Sequence, residues 1–560
     1  MMSRKLDKKD FLIAAALLAA YFAVLLATSN AVGFVRDEGY YFKAAQEYNA
    51  WFVELWENTL KGAPLETFKR DTIDRCFSYN HEHPALMKEL FGFSWQIFHN
   101  KLDVMRNSTA FRLPGMFMGA LMLALVYLFA AQARSRRAGL YAALAMATIP
   151  RWFFHAHLAA FDVPITAMIF LTVYAYWRSE TSSRWGWMTG VIFGLALATK
   201  HTAWFVPGAV FACWMYRYWG EFRVNRSGGA SFGIPPIPLA FITMIVIGPL
   251  IMIGHWPYLW PALGERLGSW FNFHLQHEHY PVSYFNEVYD RPPFPRMFVP
   301  VMTAITVPLA TLLMMSFGFF RGWYDLVKGW LVRRSGGDDG TTVEERSLLF
   351  LLVFNALFWF LPWLVSNKTP IFGGVKHWFP AMPFLAVLAG LEFDRLLCTL
   401  AGTGRRVFVS RVFPWLAGAL LILPAVQGNI YIHPYGTGFY NEIEHGTRGA
   451  ADDEMQRKFW GYASIGVLDW LNKNAEQYSR VAFHRTNWDS YQMYIRDGML
   501  RSDIRYANDV DDADYLVFHY QKGFLETEYK AFEKFGSAAA WTGVYVDEAP
   551  FVQVFKRVRR

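Results

Sequence analysis

The sequence predicts a polytopic α-helical membrane protein of about 11–13 transmembrane helices, followed by a small soluble α/β domain at its C-terminal end. Three observations carry that class. Apolar runs of membrane length recur, among them "LPGMFMGALMLALVYLFAAQA" and "LLFLLVFNALFWFLPWLV"; crossing about 30 Å of hydrocarbon takes roughly 20 helical residues. Hydrophobic residues make up 54% of the chain and charged ones only 18%, against roughly 25% charged in an average soluble domain. From about residue 440 the long runs stop, and short strand-like pieces follow, "RVAFH", "ADYLVFHY" and "FVQVFKR", separated by helical and turn-rich segments.

The elements follow in order. The first apolar run, 11–35, is too long for a signal-peptide core and is preceded by "SRKLDKK", so it reads as an uncleaved anchor with a cytoplasmic N-terminus. Basic clusters at 4–9, 134–137, 178–184, 217–226, 321–334 and 405–411 mark cytoplasmic loops by the positive-inside rule. Between them, spans are expected near 112–131, 139–154, 162–177, 185–199, 202–219, 238–254, 297–320, 347–365, 378–392 and 411–428. With the first run these make about eleven crossings, and an odd number leaves the C-terminal end outside. The expected organisation is a multi-pass transmembrane module over 1–430 in the plasma (inner) membrane, with a first outer loop at about 36–111, and an extracytoplasmic α/β domain over 431–560. The segment "HPALMKELFGFSWQIFHN", 83–100, carries Lys88 and Glu89 and would invert the topology if it crossed; it reads as an interfacial helix. "RRSGGDDGTTVEER", 333–346, reads as a flexible cytoplasmic loop.

The net charge of +8 is spent on those short loops, where it sets topology, and no nucleic-acid partner is expected. The cysteines Cys76, Cys213 and Cys398 are scattered, with no spacing that suggests a metal site or a disulfide framework.

Topology then acts as a filter for chemistry. None of the 15 histidines falls in a predicted cytoplasmic loop, and several acids and lysines join them on the outer side. Ionisable groups near membrane depth are costly and usually functional. Asp37 and Glu38 stand where the first span ends; they are either acids capping the next helix or a general base held where a carboxylate can reach a hydroxyl. Lys200-His201 ends one apolar run and Lys376-His377 begins another. Each lysine is either an interfacial snorkelling residue or a cation placed for a lipid phosphate, and two such pairs on one face favour the phosphate. Asp162 is either a pocket residue or a structural acid paired with His157. The tripeptide His-Glu-His occurs at 81–83 and again at 277–279. Histidine and glutamate ligate zinc, but neighbours on a strand or helix point apart and HExxH is absent. No cofactor is therefore required, a divalent metal is left open, and its weak candidate ligands are Glu82, His277 and His279.

Six segments in order resemble one family. "RDEGYYFKAA", "HEHPALMKELFG", "FRLPGMFMGALM", "HAHLAAFDVPITA", "GLALATKHTAW" and "KHWFPAMPFLAVLAG" resemble, over about 30–395, the motifs of GT-C class glycosyltransferases that use polyprenyl-phosphate sugars, the protein O-mannosyltransferases and lipid A aminoarabinose transferases among them. "HPYGTGFYNEIEHG" with "FWGYASIGVLDWLN" looks like the junction to the outer domain in bacterial members. The chain departs from the pattern at Ala85, which replaces a proline, and at Lys376-His377, which replaces Arg-Tyr.

The resemblance implies an integral membrane glycosyltransferase of the cell envelope, mannosyltransferase-like. Its donor would be a sugar on a polyprenyl phosphate and its acceptor a hydroxyl on a protein, lipid or glycan at the outer face of the bilayer. It would invert the anomeric centre, with Asp37 as base and Glu38 orienting it or the acceptor. Lys200, His201, Lys376 and His377 would hold the donor phosphate, and Glu82, His83, His157 and Asp162 would shape the sugar or acceptor pocket. The competing class is a lipid-linked-sugar transporter or flippase without transferase activity. That class wants ionisable groups through the membrane depth and internal repeats, and neither is evident.

Overall fold

The computed structural model describes residues 4–225, 231–276, 278–402 and 412–558. Helices occupy the predicted spans. The first, Lys8–Thr28, starts at Asp7, whose side chain accepts from the backbone N–H groups of Lys9 and Asp10 while Asp10 returns a bond to the Asp7 N–H; this reciprocal cap satisfies two otherwise orphaned donors. Among the described residues three helical stretches are both long and apolar enough to cross a membrane: Lys8–Ala31, Asn107–Ala133 and Phe413–Ile432. A fourth candidate, Leu239–Gly254 with Pro257–Leu275, is bent by 98° at the intervening break.

Other predicted spans are interrupted. The run 139–154 is divided between helices Arg136–Ala147 and Pro150–Ala156, because Pro150 has no N–H to continue the first. The run 297–320 is divided in the same way at Pro308. The expected interfacial segment forms a helix, Leu86–Trp95, prolonged through Lys101. Loop 333–346 differs from its expectation of flexibility. Asp339 is held between Arg333 and Arg346, and Thr342 with Glu345 caps the next helix, Val343–Phe358.

The C-terminal region contains a five-stranded mixed sheet of β1 (Arg480–Phe483), β2 (Arg505–Ala507), β3 (Tyr515–His519), β4 (Thr542–Val546) and β5 (Ala549–Lys556), in the order β2-β1-β3-β5-β4. β1 is parallel to both β2 and β3, whereas β5 is antiparallel to β3 and β4. The three strands anticipated from hydrophobic runs form β1, β3 and β5; β2, of three residues, and β4 are partly exposed and carry little alternation to announce them. Side chains alternate between the faces of a sheet. Val481, Val517, Val552 and Val554 accordingly join the core that runs through the helical bundle. Ala482, Leu516, Phe518 and Phe555 pack with Ala531 and Phe535 of the helix Leu525–Phe535. The sheet is thus packed directly on the helical body.

Candidate active site

Helix Arg36–Leu60 begins just past the end of the first apolar helix and carries Asp37 and Glu38 in its first turn. Acids there complement the positive end of the helix dipole. The two carboxylates have opposite environments. Glu38 is completely buried. Arg112 grips it with two parallel bonds, Nε to Oε1 at 2.8 Å and Nη2 to Oε2 at 2.7 Å. The Ala159 N–H donates to Oε1 at 2.8 Å and the Val35 N–H to Oε2 at 3.2 Å. The spare donors of Arg112 go to the carbonyls of Ser29, Val32 and Gly33. Every polar group of this buried pair is occupied, so Glu38 is a structural clamp. The expectation that it orients Asp37 or an acceptor is corrected, since adjacent side chains on one helix turn diverge by about 100° and this one turns into the protein.

Asp37 faces a cavity of about 800 Å³, and its side chain is 19% exposed. Its Oδ2 lies 3.7 Å from Lys376 Nζ, and its Oδ1 lies 3.8 Å from Arg36 Nε. The cavity also brings Glu82, His83, Asp162, Lys200, His201 and His377 to its walls. Lys200 Nζ donates to Asp162 Oδ1 at 2.6 Å, and both residues are buried. Asp162 therefore pairs with a lysine from the next helix connection and not with His157. That histidine is the second correction. It lies away from the cavity, its Nδ1 bonded to the Phe153 carbonyl at 2.8 Å and its Nε2 2.8 Å from Thr28 Oγ1.

Lys376 follows a tight turn in which Gly373 takes φ +81°, a left-handed conformation that glycine adopts without steric cost. A Cβ at Gly373 would also lie 2.5 Å from Lys376 Cε. The turn delivers the Lys376 ammonium to the face of Trp460, 3.6 Å from the ring centroid, a cation–π contact. Burial draws Lys376 below the ordinary lysine range, against the opposing pull of Asp162 and Asp37. His377 donates from Nε2 to the Phe372 carbonyl at 2.7 Å, and burial lowers it to about 3, with Lys376 and Lys200 adding to the effect. Burial likewise holds His83 well below its usual value, so both imidazoles are neutral at pH 7. Across the cavity His201 stacks near His274, with ring centroids 4.0 Å apart. The backbone carbonyl of Glu82 accepts from Trp270 Nε1 at 3.0 Å and His274 Nε2 at 3.1 Å.

Of the metal candidates, His277 lies outside the described residues. His279 packs on Phe294 and is not part of the cavity wall that carries Glu82. Among the described residues no group of three or more His, Cys, Asp or Glu side chains is placed to hold a metal ion.

Sequence reasoning missed one whole wall. Lys458, Trp460, Arg485, His519 and Gln521, all from the C-terminal region, line the same cavity. The region is also fastened to the helix that carries Asp37. Arg36 donates its N–H to the Trp460 carbonyl at 2.7 Å, and Asn487 Nδ2 donates to the Arg36 carbonyl at 2.7 Å. The basic-aromatic stretch "RKFWG", 457–461, was the available signal.

Residues 82–230 match the family model of dolichyl-phosphate-mannose-protein mannosyltransferases. No curated protein sequence matches the chain. Among solved structures, the chain is similar to ArnT from Cupriavidus metallidurans in the apo state, with 14% identity over 98% of this chain and 97% of that one and a TM-score of 0.48. The same enzyme bound to undecaprenyl phosphate aligns with 13% identity over 97% and 98% of the two chains, TM-score 0.46. The Archaeoglobus fulgidus oligosaccharyltransferase in complex with Zn and sulfate aligns with 13% identity over 94% of this chain and 70% of that one, TM-score 0.46. The matched segment covers about a quarter of the chain and contains Glu82, His83, Asp162, Lys200 and His201.

Proposed function

We propose that this glycosyltransferase moves a sugar from a polyprenyl-phosphate donor to an acceptor hydroxyl at the outer face of the plasma membrane, inverting the anomeric centre, with Asp37 as general base. The observation that carries the reading is the pairing of Asp37 with Lys376, 3.7 Å apart on the wall of the large cavity, where an apolar helix of membrane length ends. A lipid-borne donor and a water-borne acceptor meet at that depth.

In this mechanism Asp37 takes the proton of the acceptor hydroxyl. The freed oxygen attacks the anomeric carbon, and the bond from that carbon to the phosphate oxygen breaks with its electron pair going to the leaving polyprenyl phosphate. Lys376 and Lys200 oppose the charge growing on that phosphate. Preorganised cations in a site shielded from water are worth more than in bulk, and removing one such group typically costs about 10²–10³ in rate. A single displacement at carbon inverts. A retaining route would need a second carboxylate free to act as nucleophile about 5–5.5 Å from the first; Glu38 is sealed by Arg112, Asp162 is held by Lys200 and Glu82 accepts from Asn80 Nδ2. His201 and His377 flank the donor phosphate, and Glu82, His83 and Asp162 shape the sugar or acceptor pocket. The topology that fits is a cytoplasmic N-terminus, about eleven crossings within 1–430, and an extracytoplasmic domain over 431–560.

The test supplies purified protein in detergent with a panel of polyprenyl-phosphate sugars and an envelope extract as acceptor source. Release of free polyprenyl phosphate is followed by mass spectrometry. The reading predicts acceptor-dependent release with at least one donor. Donor movement across reconstituted vesicles without release would replace it with the transporter.

A further inference from the structure

The two ends of the cavity differ in how their charges are balanced. Toward the helical body each lysine has a carboxylate, Lys200 with Asp162 at 2.6 Å and Lys376 with Asp37 at 3.7 Å. At the end built by the C-terminal region, Lys458 is 3% exposed and its Nζ has no hydrogen-bond partner. Burial, with the cation Arg457 adding, draws Lys458 well below the ordinary lysine range, and Arg457 is already engaged with Glu454 at 3.5 Å and the Ala451 carbonyl at 2.9 Å. Arg485 lines the same end and lies over the Phe524 ring, 4.9 Å from its centroid. Burial and the nearby Arg36 lower it to about 10. The backbone holds Arg485 at φ +63°, and Gly461, at φ +73°, passes so close that a Cβ there would lie 2.1 Å from the Arg485 carbonyl oxygen. His519 completes the group. Its Nδ1 donates to the His484 carbonyl at 2.6 Å, and burial, with Lys458 and Arg485 adding, disfavours its protonation. Among the described residues no carboxylate forms an ion pair with Lys458 or Arg485.

A buried amine without a partner leaves a polar group unsatisfied, and packing does not require one; an anion beside it would supply the partner and favour its charged form. We propose that this wall is an oxyanion subsite for the acceptor, in which Lys458 and Arg485 bind a phosphate or carboxylate that the acceptor carries near its reacting hydroxyl. The word acceptor rests on the transferase reading above; the oxyanion site itself does not. Arg485 feels the Asp37 carboxylate on the wall of the same cavity, so an acceptor anchored there would present its hydroxyl toward Asp37. Transfer would thus be selective for acidic acceptors. The anchoring bond is non-covalent and does not enter the displacement.

The experiment uses the full-length protein in detergent, with undecaprenyl phosphate added to saturation so that the donor-phosphate cations are occupied. Binding of inorganic phosphate, and in a parallel arm of acetate, is measured by equilibrium dialysis for wild type, Lys458→Met and Arg485→Gln. Saturable binding of one or both anions is expected in wild type, weakened at least tenfold in Lys458→Met, with undecaprenyl phosphate binding unchanged. The arm that binds more tightly says whether the natural group is a phosphate or a carboxylate. Lys458→Met should melt at or above the wild-type temperature, because it removes a buried polar group that has no hydrogen-bond partner, so misfolding will not explain its loss of binding. Where turnover is observed, Lys458→Met should also raise the acceptor KM at least tenfold while the donor KM stays put. Wild-type protein that binds neither anion, or a Lys458→Met variant that binds as wild type does, overturns the proposal. Anion binding that vanishes in Lys458→Met while no donor is ever turned over keeps the subsite and removes the transferase reading.

Discussion

Asp37 and Glu38 are consecutive acids in one helical turn, and the protein treats them as different chemistry. Glu38 accepts four hydrogen bonds, two of them from Arg112, and is shut away from solvent. Asp37 keeps a 3.7 Å partner and an open side facing the cavity. A carboxylate whose lone pairs are all engaged in a buried fork cannot take a proton at low cost; one with a loose partner and room beside it can. On the proposed mechanism the acid useful for catalysis is the one left incompletely satisfied, and its neighbour fixes the turn holding it in place.

Breaking the clamp should have the largest effect. Arg112→Met strands the Glu38 carboxylate in the interior, and removing one member of a buried pair costs about 3–5 kcal/mol. Thermal unfolding in detergent should show a large drop in Tm or no folded material. Breaking the open side should leave the fold standing. Asp37→Asn should keep its Tm within a few degrees and reduce turnover by about 10²–10⁴, read as release of polyprenyl phosphate at saturating donor. Lys376→Met is the next step down, about 10²–10³ in rate, with the loss in kcat larger than the change in donor KM if the ammonium acts on the leaving phosphate as its charge develops.

The last effect concerns pH and is spread over several pH units. His377 and His484 are both lowered to about 3 by burial, against 6.5 when unfolded. Between those values the unfolded chain binds the extra protons, so stability rises with pH and is lost as pH falls below 6.5. Each histidine contributes a slope of about 1.4 kcal/mol per pH unit there. Unfolding followed from pH 7 to pH 5 should show this decline, and the double variant His377→Gln, His484→Gln should flatten it.

Much of the site was legible because it lies where apolar runs end. Asp37, Lys200 and Lys376 all stand at such ends, and hydropathy finds ends well. Partners were not legible. Glu38 meets Arg112 across 74 residues and Lys200 meets Asp162 across 38; periodicity within a segment says nothing about which segments touch. His157 illustrates the cost, since its sequence neighbourhood resembles the pocket motif while its ring bonds back to the first helix through Thr28. Three of the five C-terminal strands were visible as short apolar runs, but apart from the basic-aromatic stretch 457–461 nothing local showed that the C-terminal region would line the cavity. The ordering of 333–346 depended on one aspartate, Asp339, finding two arginines, which composition alone reads as a flexible linker.

The most direct test sets Asp37→Asn beside Glu38→Gln in one preparation, measuring polyprenyl-phosphate release per folded, donor-binding molecule. The account predicts that folded Asp37→Asn binds donor and turns over at least a hundredfold more slowly. It predicts that Glu38→Gln yields less folded protein, whose surviving molecules turn over within a fewfold of wild type. Wild-type turnover in Asp37→Asn, or a well-folded Glu38→Gln that is inactive, would contradict it.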